Sequence, residues 1–250
     1  MAGTALLGRL TWQLAELVEV VAETPRVKTI VFDVPDWPGH RAGQHVDVRL
    51  TAEDGYQAER SYSIATPTDG HRVTISVERI DDGEVSPYLA EELRVGDKLE
   101  LRGPIGGYFV WTPNDGGPLL LVGGGSGIVP LMSMLRARVA AASDIPVRLL
   151  VSARSIDEII YRAELESIAS ANSGVEIIRT LTRSHPSGWT GYGRRVDQAM
   201  LAENAWPTDQ RPRSFACGPT GFVETVASGL VALGHDPGDI RTERFGPTGG

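Results

Sequence analysis

Cysteine is almost absent: the 250-residue chain has one, Cys217. A single thiol makes no internal disulfide and cannot supply the four thiolates of a usual iron–sulfur cluster. Histidine is sparse too, and His40, His45, His71, His185 and His235 lack the short spacings of a metal site. Any redox chemistry therefore has to come from an organic cofactor. Positive charge is in deficit: 24 Lys and Arg against 32 Asp and Glu leave a formal charge of -8. That balance argues against a nucleic-acid partner, which requires a basic face. No apolar run approaches membrane-spanning length. The N-terminal MAGTALLGRLTWQLAELVEV has no basic start followed by a long apolar core, so it does not read as a signal peptide. Together these absences predict a cytoplasmic protein without membrane or nucleic-acid partners.

What is present falls into two rhythms. Early on, apolar residues alternate: Val18 and Val20, then Ile30, Phe32 and Val34, then Val46, Val48 and Leu50, then Val73, Ile75 and Val77. Period two marks strands with one buried face. Turn residues separate these runs at Asp36 to Gly43, Glu53-Asp54-Gly55, Asp69-Gly70 and Gly96-Asp97. Short strands at close spacing suggest an antiparallel barrel or sandwich. One helix interrupts them, with Ser86 as N-cap, Pro87 at the first position and Tyr88 to Leu93 as its body.

A turn-rich stretch, Thr112 to Pro118, reads as a linker, and the rhythm then changes. Apolar strands at Leu119 to Val122, Val147 to Val151, Val175 to Ile178 and Ser214 to Ala216 alternate with helical segments. Those segments are Ile128 to Ala141, Asp157 to Ser170, Val196 to Ala205 and Thr220 to Leu233. Such alternation predicts a parallel sheet with helices on its faces. The expected fold is a two-domain protein, an antiparallel β-barrel over residues 1–113 followed by an α/β parallel-sheet domain over 114–250. A cleft between two such domains is where two cofactors could meet.

The glycine run Gly123-Gly124-Gly125-Ser126-Gly127 follows a strand and precedes a helix, which lets backbone approach a pyrophosphate at a helix N-terminus. Its spacing is neither the Rossmann fingerprint nor a P-loop, and a methyltransferase could carry such a loop. Farther on, Ser152, Arg154, Tyr161 and Arg162 stand where an NAD site of Rossmann type would place an acidic residue. A hydroxyl, two guanidiniums and an aromatic ring suit a 2′-phosphate and an adenine face. NADP is therefore favoured over NAD, with Asp157 and Glu158 nearby as the counterargument.

The chain resembles the ferredoxin–NADP reductase superfamily through motifs in one order. They are Arg60-Ser61-Tyr62-Ser63, Gly103-Pro104-Ile105-Gly106-Gly107-Tyr108-Phe109, Gly123 to Pro130, Cys217-Gly218-Pro219 and Glu243-Arg244-Phe245. The resemblance implies FAD on the barrel, with Arg60 on the flavin pyrophosphate, Tyr62 stacked on the ring and Ser63 near the hydride-accepting N5. Val77-Glu78-Arg79-Ile80, Gly83, Val85 and Ser86 would complete the dinucleotide site. Gly125, Ser126 and Gly127 would hold the nicotinamide nucleotide, while Cys217, Gly218 and Pro219 would lie at the nicotinamide. Glu243, with Ser63 and Cys217, would orient that ring, and Phe245 would cover the flavin. The tail after Phe245, Gly246 to Gly250, departs from relatives that end near this aromatic. Gly103 to Phe109 reads as structural, with Tyr108 and Phe109 in a core.

The implied activity is a flavoprotein oxidoreductase that passes hydride from NADPH to FAD and electrons to a separate partner. That partner would be a ferredoxin, a haem protein or another oxidoreductase. The alternatives are an NADH-dependent flavin or ferric reductase with a small-molecule acceptor, or a non-catalytic flavin-binding redox sensor.

Overall fold

The computed structural model describes residues 10–246. Residues 1–9 of the N-terminal segment read above against a signal peptide, and the tail from residue 247, lie outside them. The first sheet is formed by β1 (Trp12–Ala22), β2 (Val27–Asp33), β3 (His45–Thr51), β4 (Gln57–Ser63), β5 (Arg72–Glu78) and β6 (Lys98–Ile105). Its order is β4-β3-β6-β1-β2-β5, with every pairing antiparallel. Just past β4, Ile64 bridges to Ile75 of β5, so the two edge strands meet and the sheet closes into a barrel. The alternating residues Ile30, Phe32, Val46, Val48, Val73, Ile75 and Val77 point inward and form its core.

The second sheet is parallel and comprises β7 (Leu119–Gly124), β8 (Val147–Ala153), β9 (Val175–Leu181), β10 (Arg213–Pro219) and β11 (Ile240–Phe245). Helices α1 (Ile128–Ala140), α2 (Arg162–Ala171), α3 (Gln198–Asn204) and α4 (Thr220–Ala232) connect its strands. Successive residues of β7 feed opposite cores: Leu119 and Leu121 pack with α1 and α2, Leu120 and Val122 with α3 and α4. That is why β7 reads as a continuous apolar run rather than an alternating one. The strand order β11-β10-β7-β8-β9 reverses between β7 and β10, so a crevice opens at their carboxyl ends.

The two halves pack tightly on each other. In β5, Val73, Ile75 and Val77 face the barrel core, yet Thr74 and Ser76 on the other face are buried as well. Ala42, Ala65, Phe109 and Trp111 join the core of the second sheet.

Two sequence expectations change. Ser86 does not cap the short helix; its Oγ accepts a hydrogen bond from the backbone N–H of Ile80 at 3.0 Å and closes the 80–86 loop instead. The segment expected as one helix from Asp157 to Ser170 is broken. A 3-10 turn covers Ile156–Glu158, Ile159 and Ile160 sink into the core, and Tyr161 takes a left-handed backbone before α2 begins.

Candidate active site

Between the barrel and the parallel sheet lies a cleft of about 920 Å³. Strand β4 forms much of one wall. On a strand, neighbours face opposite ways, and Arg60 and Tyr62 share one face. The Tyr62 ring packs on the barrel core while still lining the cleft, and burial pushes its phenol well above the ordinary value, so it remains neutral. Arg60 donates to Glu84 at 2.8 Å, and Tyr56 donates to the other Glu84 oxygen at 2.7 Å. These two bonds hold the Glu84 carboxyl below its usual range. Ser61 donates to Asp47 at 2.6 Å.

Ser63 reaches across the cleft. Its Oγ stands 3.4 Å from the Glu243 carboxylate on β11, joining the barrel to the second sheet. Burial raises the Glu243 pKa against the opposing Ser63 hydrogen bond. Glu243 is the register partner of Cys217 on β10. The thiol is 1% exposed and is raised well above its usual pKa by burial, then by the Glu243 charge. Cys217 is thus a neutral buried thiol beneath the cleft rather than part of its surface.

Glycines let the remaining wall come close. A Cβ on Gly127 would lie 2.2 Å from the Cys217 carbonyl oxygen, so only glycine seats this loop on β10. Gly218, at φ +157, would drive a Cβ to 2.8 Å from the Phe222 ring. Next to Gly127, Ser126 donates to Glu78 of the barrel at 2.8 Å, a second bond across the cleft. Pro219 pairs in register with Phe245, which is 36% exposed and lines the cleft.

Some expected residues stand elsewhere. Glu78 and Ile80 line the cleft, but Arg79 between them points away and pairs with Asp81 and Glu91, each at 3.0 Å. Val77 and Val85 are fully buried; Val85 still borders the cleft, whereas Val77 does not. Gly83 and Ser86 both line the cleft, and the Ser86 hydroxyl, which accepts from the Ile80 N–H, keeps its own proton to donate. Ser152 and Arg154 lie at the end of β8 and Arg162 starts α2, all outside the cleft lining. Arg154 is exposed, with only a 4.0 Å contact to Glu158. Tyr161 cannot offer an adenine face: its side chain is 2% exposed and its hydroxyl is bonded to Ser76.

Sequence reasoning missed His45 and Tyr108 on the cleft and Arg183 outside its lining. His45 pairs in register with Ser63 and lines the cleft, its pKa lowered by burial against the opposing Asp47 charge. Its parity, one residue before inward-facing Val46, was the available signal. Tyr108 lies on the cleft at 62% exposure instead of in a core, whereas Phe109 is buried edge-on against Phe215. Arg183 is drawn to the β8 end because its N–H donates to the Arg154 carbonyl at 3.0 Å.

These residues fit FAD. The cleft has the volume for a dinucleotide, a flat aromatic wall at Tyr62 and a half-exposed guanidinium at Arg60 able to exchange Glu84 for a pyrophosphate. A barrel and a doubly wound sheet meeting on such a cleft define a two-nucleotide redox protein. Residues 14–110 match the family described as oxidoreductase FAD-binding domain, and residues 121–228 that described as oxidoreductase NAD-binding domain. Over 238 residues the chain is 35% identical to ferredoxin–NADP reductase B of Sorangium cellulosum, covering 92% of this chain and 96% of that one. It is also 35% identical over 237 residues to the glycine betaine monooxygenase reductase subunit of Chromohalobacter salexigens, covering 92% of this chain. It spans 63% of the length of that relative. Among solved structures, the flavohem-like FAD/NAD binding domain of nitric oxide dioxygenase from Vibrio cholerae superposes with a TM-score of 0.84 at 26% identity, covering 94% and 99% of the two chains. The chain belongs to the ferredoxin–NADP reductase superfamily, and its cofactors are FAD and a nicotinamide nucleotide. Among the described residues no helix is long and apolar enough to cross a membrane, and no cluster of His, Cys, Asp and Glu could hold a metal.

Proposed function

We propose that this protein is a reductase that draws hydride from NADPH and feeds electrons to a separate redox protein in the cytoplasm, an oxygenase or a ferredoxin. The observation that carries it is the Ser63–Glu243 contact, which links the FAD wall to the nucleotide wall at one point of the cleft. FAD supplies the chemistry, accepting a hydride and releasing electrons singly or in pairs. The chain's own residues bind and orient. Arg60 holds the pyrophosphate by a charge-assisted pair, and Tyr62 supports the flat ring. Ser63 and Glu243 hold the nicotinamide against it and offset the positive charge that develops there. Gly125, Ser126 and Gly127 cradle the second pyrophosphate, with Gly218 leaving room for its nicotinamide. A cleft that holds flavin and nicotinamide close and oriented and excludes water would supply much of the acceleration.

The exposed guanidiniums of Arg154, whose pair with Glu158 is long at 4.0 Å, and of Arg162 and Arg183 support NADPH over NADH because a 2′-phosphate attracts cations. The relatives named as reductase subunits support delivery to a separate partner, and one cysteine in these 250 residues offers no cluster for an onward internal step. A small acceptor, such as free flavin or a ferric chelate, is the second reading.

The test is anaerobic flavin bleaching with each nucleotide at equal low concentration. NADPH should bleach faster, and Arg154→Ala should weaken NADPH about tenfold or more while leaving NADH nearly unchanged, the scale of a lost charge-assisted contact. Faster bleaching by NADH would overturn the NADPH assignment.

A further inference from the structure

Tyr161 is a bulky residue held at φ +59, in the left-handed region that ordinary side chains avoid. Such strain persists only where surrounding contacts over-determine it. Here the ring packs in the core of its own domain under Arg136, while its hydroxyl crosses the domain boundary. There the hydroxyl meets Ser76 on the outer face of β5, the face turned away from the barrel core. Ser76 itself lines the cleft.

From Ser76 the hydrogen bonds run on to Thr29 at 2.7 Å and from Thr29 to the Glu23 carboxylate at 2.8 Å. Proton counting fixes their direction. Thr29 spends its one proton on Glu23, so Ser76 must donate to Thr29 and Tyr161 must donate to Ser76. The result is a polarised chain of three hydroxyls ending on a carboxylate, in a buried setting where such bonds strengthen one another. Arg136 of α1 covers the Tyr161 ring at 4.7 Å. It also grips Glu164 at 2.6 Å and donates to the Ala65 carbonyl of the barrel at 2.7 Å. The second domain is thus pinned to the barrel immediately behind the cleft.

We propose that Tyr161 is the positioning residue that sets the angle between the two domains, and with it the approach of nicotinamide to flavin. This rests on the reductase reading above. It goes beyond packing because the ring sits in the core beside the second sheet while the hydroxyl reaches out to Ser76, a residue of the cleft wall.

The test compares FAD-loaded wild type with Tyr161→Phe, which keeps the ring and removes only the donor. Flavin bleaching at saturating NADPH should slow at least tenfold, with FAD and NADP⁺ dissociation constants within twofold of wild type. Amide hydrogen exchange should quicken at residues 74–77 and 159–165, while the barrel strand 46–50 stays protected. Bleaching and exchange both within twofold of wild type would overturn the proposal. If Tyr161→Phe does not load FAD, Thr29→Val, which cuts the same chain away from the cleft, is judged by the same criteria. Wild type that binds FAD yet is bleached by neither nucleotide would remove the reductase reading; normal wild-type bleaching with an unimpaired variant would remove only this inference.

Discussion

Gly127→Ala separates nucleotide binding from flavin binding. The added methyl would lie 2.2 Å from the Cys217 carbonyl oxygen, 2.4 Å from its carbon and 2.8 Å from the Gly218 nitrogen. Ordinary contact begins near 3.4 Å, so the shortfall is 3.4 − 2.2 = 1.2 Å. All three atoms are backbone, and β10 is hydrogen-bonded to β7 on one side and β11 on the other. No side chain can swing aside, and the loop must lift from the strand by about 1 Å. Overpacking of this kind costs about 1–3 kcal/mol of stability. Lifting the loop breaks its contacts to the nucleotide phosphates, and losing a charge-assisted contact of about 1.5–3 kcal/mol should weaken NADPH about tenfold or more. The barrel should keep its FAD, because the methyl meets no barrel residue and the loop's shift disturbs the barrel only at the Ser126–Glu78 bond. Purified variant would be assayed for bound flavin by its visible spectrum and for NADPH affinity by titration. Full flavin content with NADPH affinity within threefold of wild type would refute the reasoning.

Glu243 gives a pH prediction. Because its folded-state pKa is raised, the folded protein holds this proton longer than the unfolded chain. Its contribution is therefore full below the ordinary value of 4.5, declines as pH rises toward the raised value, and is constant above it. Glu243→Gln should flatten that part of the Tm-against-pH curve and be the more stable form at neutral pH, while reducing flavin more slowly; parallel melting curves across the window would contradict this. Cys217, buried and kept as a thiol, should react with iodoacetamide at pH 7.5 at least tenfold more slowly in the native protein than in denaturant. Equal labelling rates would show that it is accessible.

The barrel was legible because its core residues alternate without interruption, and the parallel sheet because each apolar run is followed by a helical pattern. The start of α2 was not. Ile159, Ile160 and Tyr161 have spacings a helix accepts, but their apolar surface is used against the core and the barrel, which is a tertiary demand. In the site, motif order located Arg60 to Ser63 and Glu243, which the fold does bring together. Order says nothing about direction, however. That is why Arg79 was assigned to a ligand it turns away from, and why Tyr108 and Phe109 were given one role when the chain sends them opposite ways. Strand parity would have supplied His45, since it stands on the cleft opposite Ser63.

Phe109 and Trp111 leave the barrel and enter the hydrophobic core of the second sheet, where Phe109 meets Phe215 at 5.4 Å. The sheets separate between Ile105 and Leu119, but the packing does not. A fragment beginning at residue 114 would forfeit both aromatics and expose the surface they cover. For a lineage that recombines its parts, the transferable unit is accordingly the pair, with its cleft already assembled. A chimaera spliced inside residues 106–118 would inherit a seam through the middle of a core.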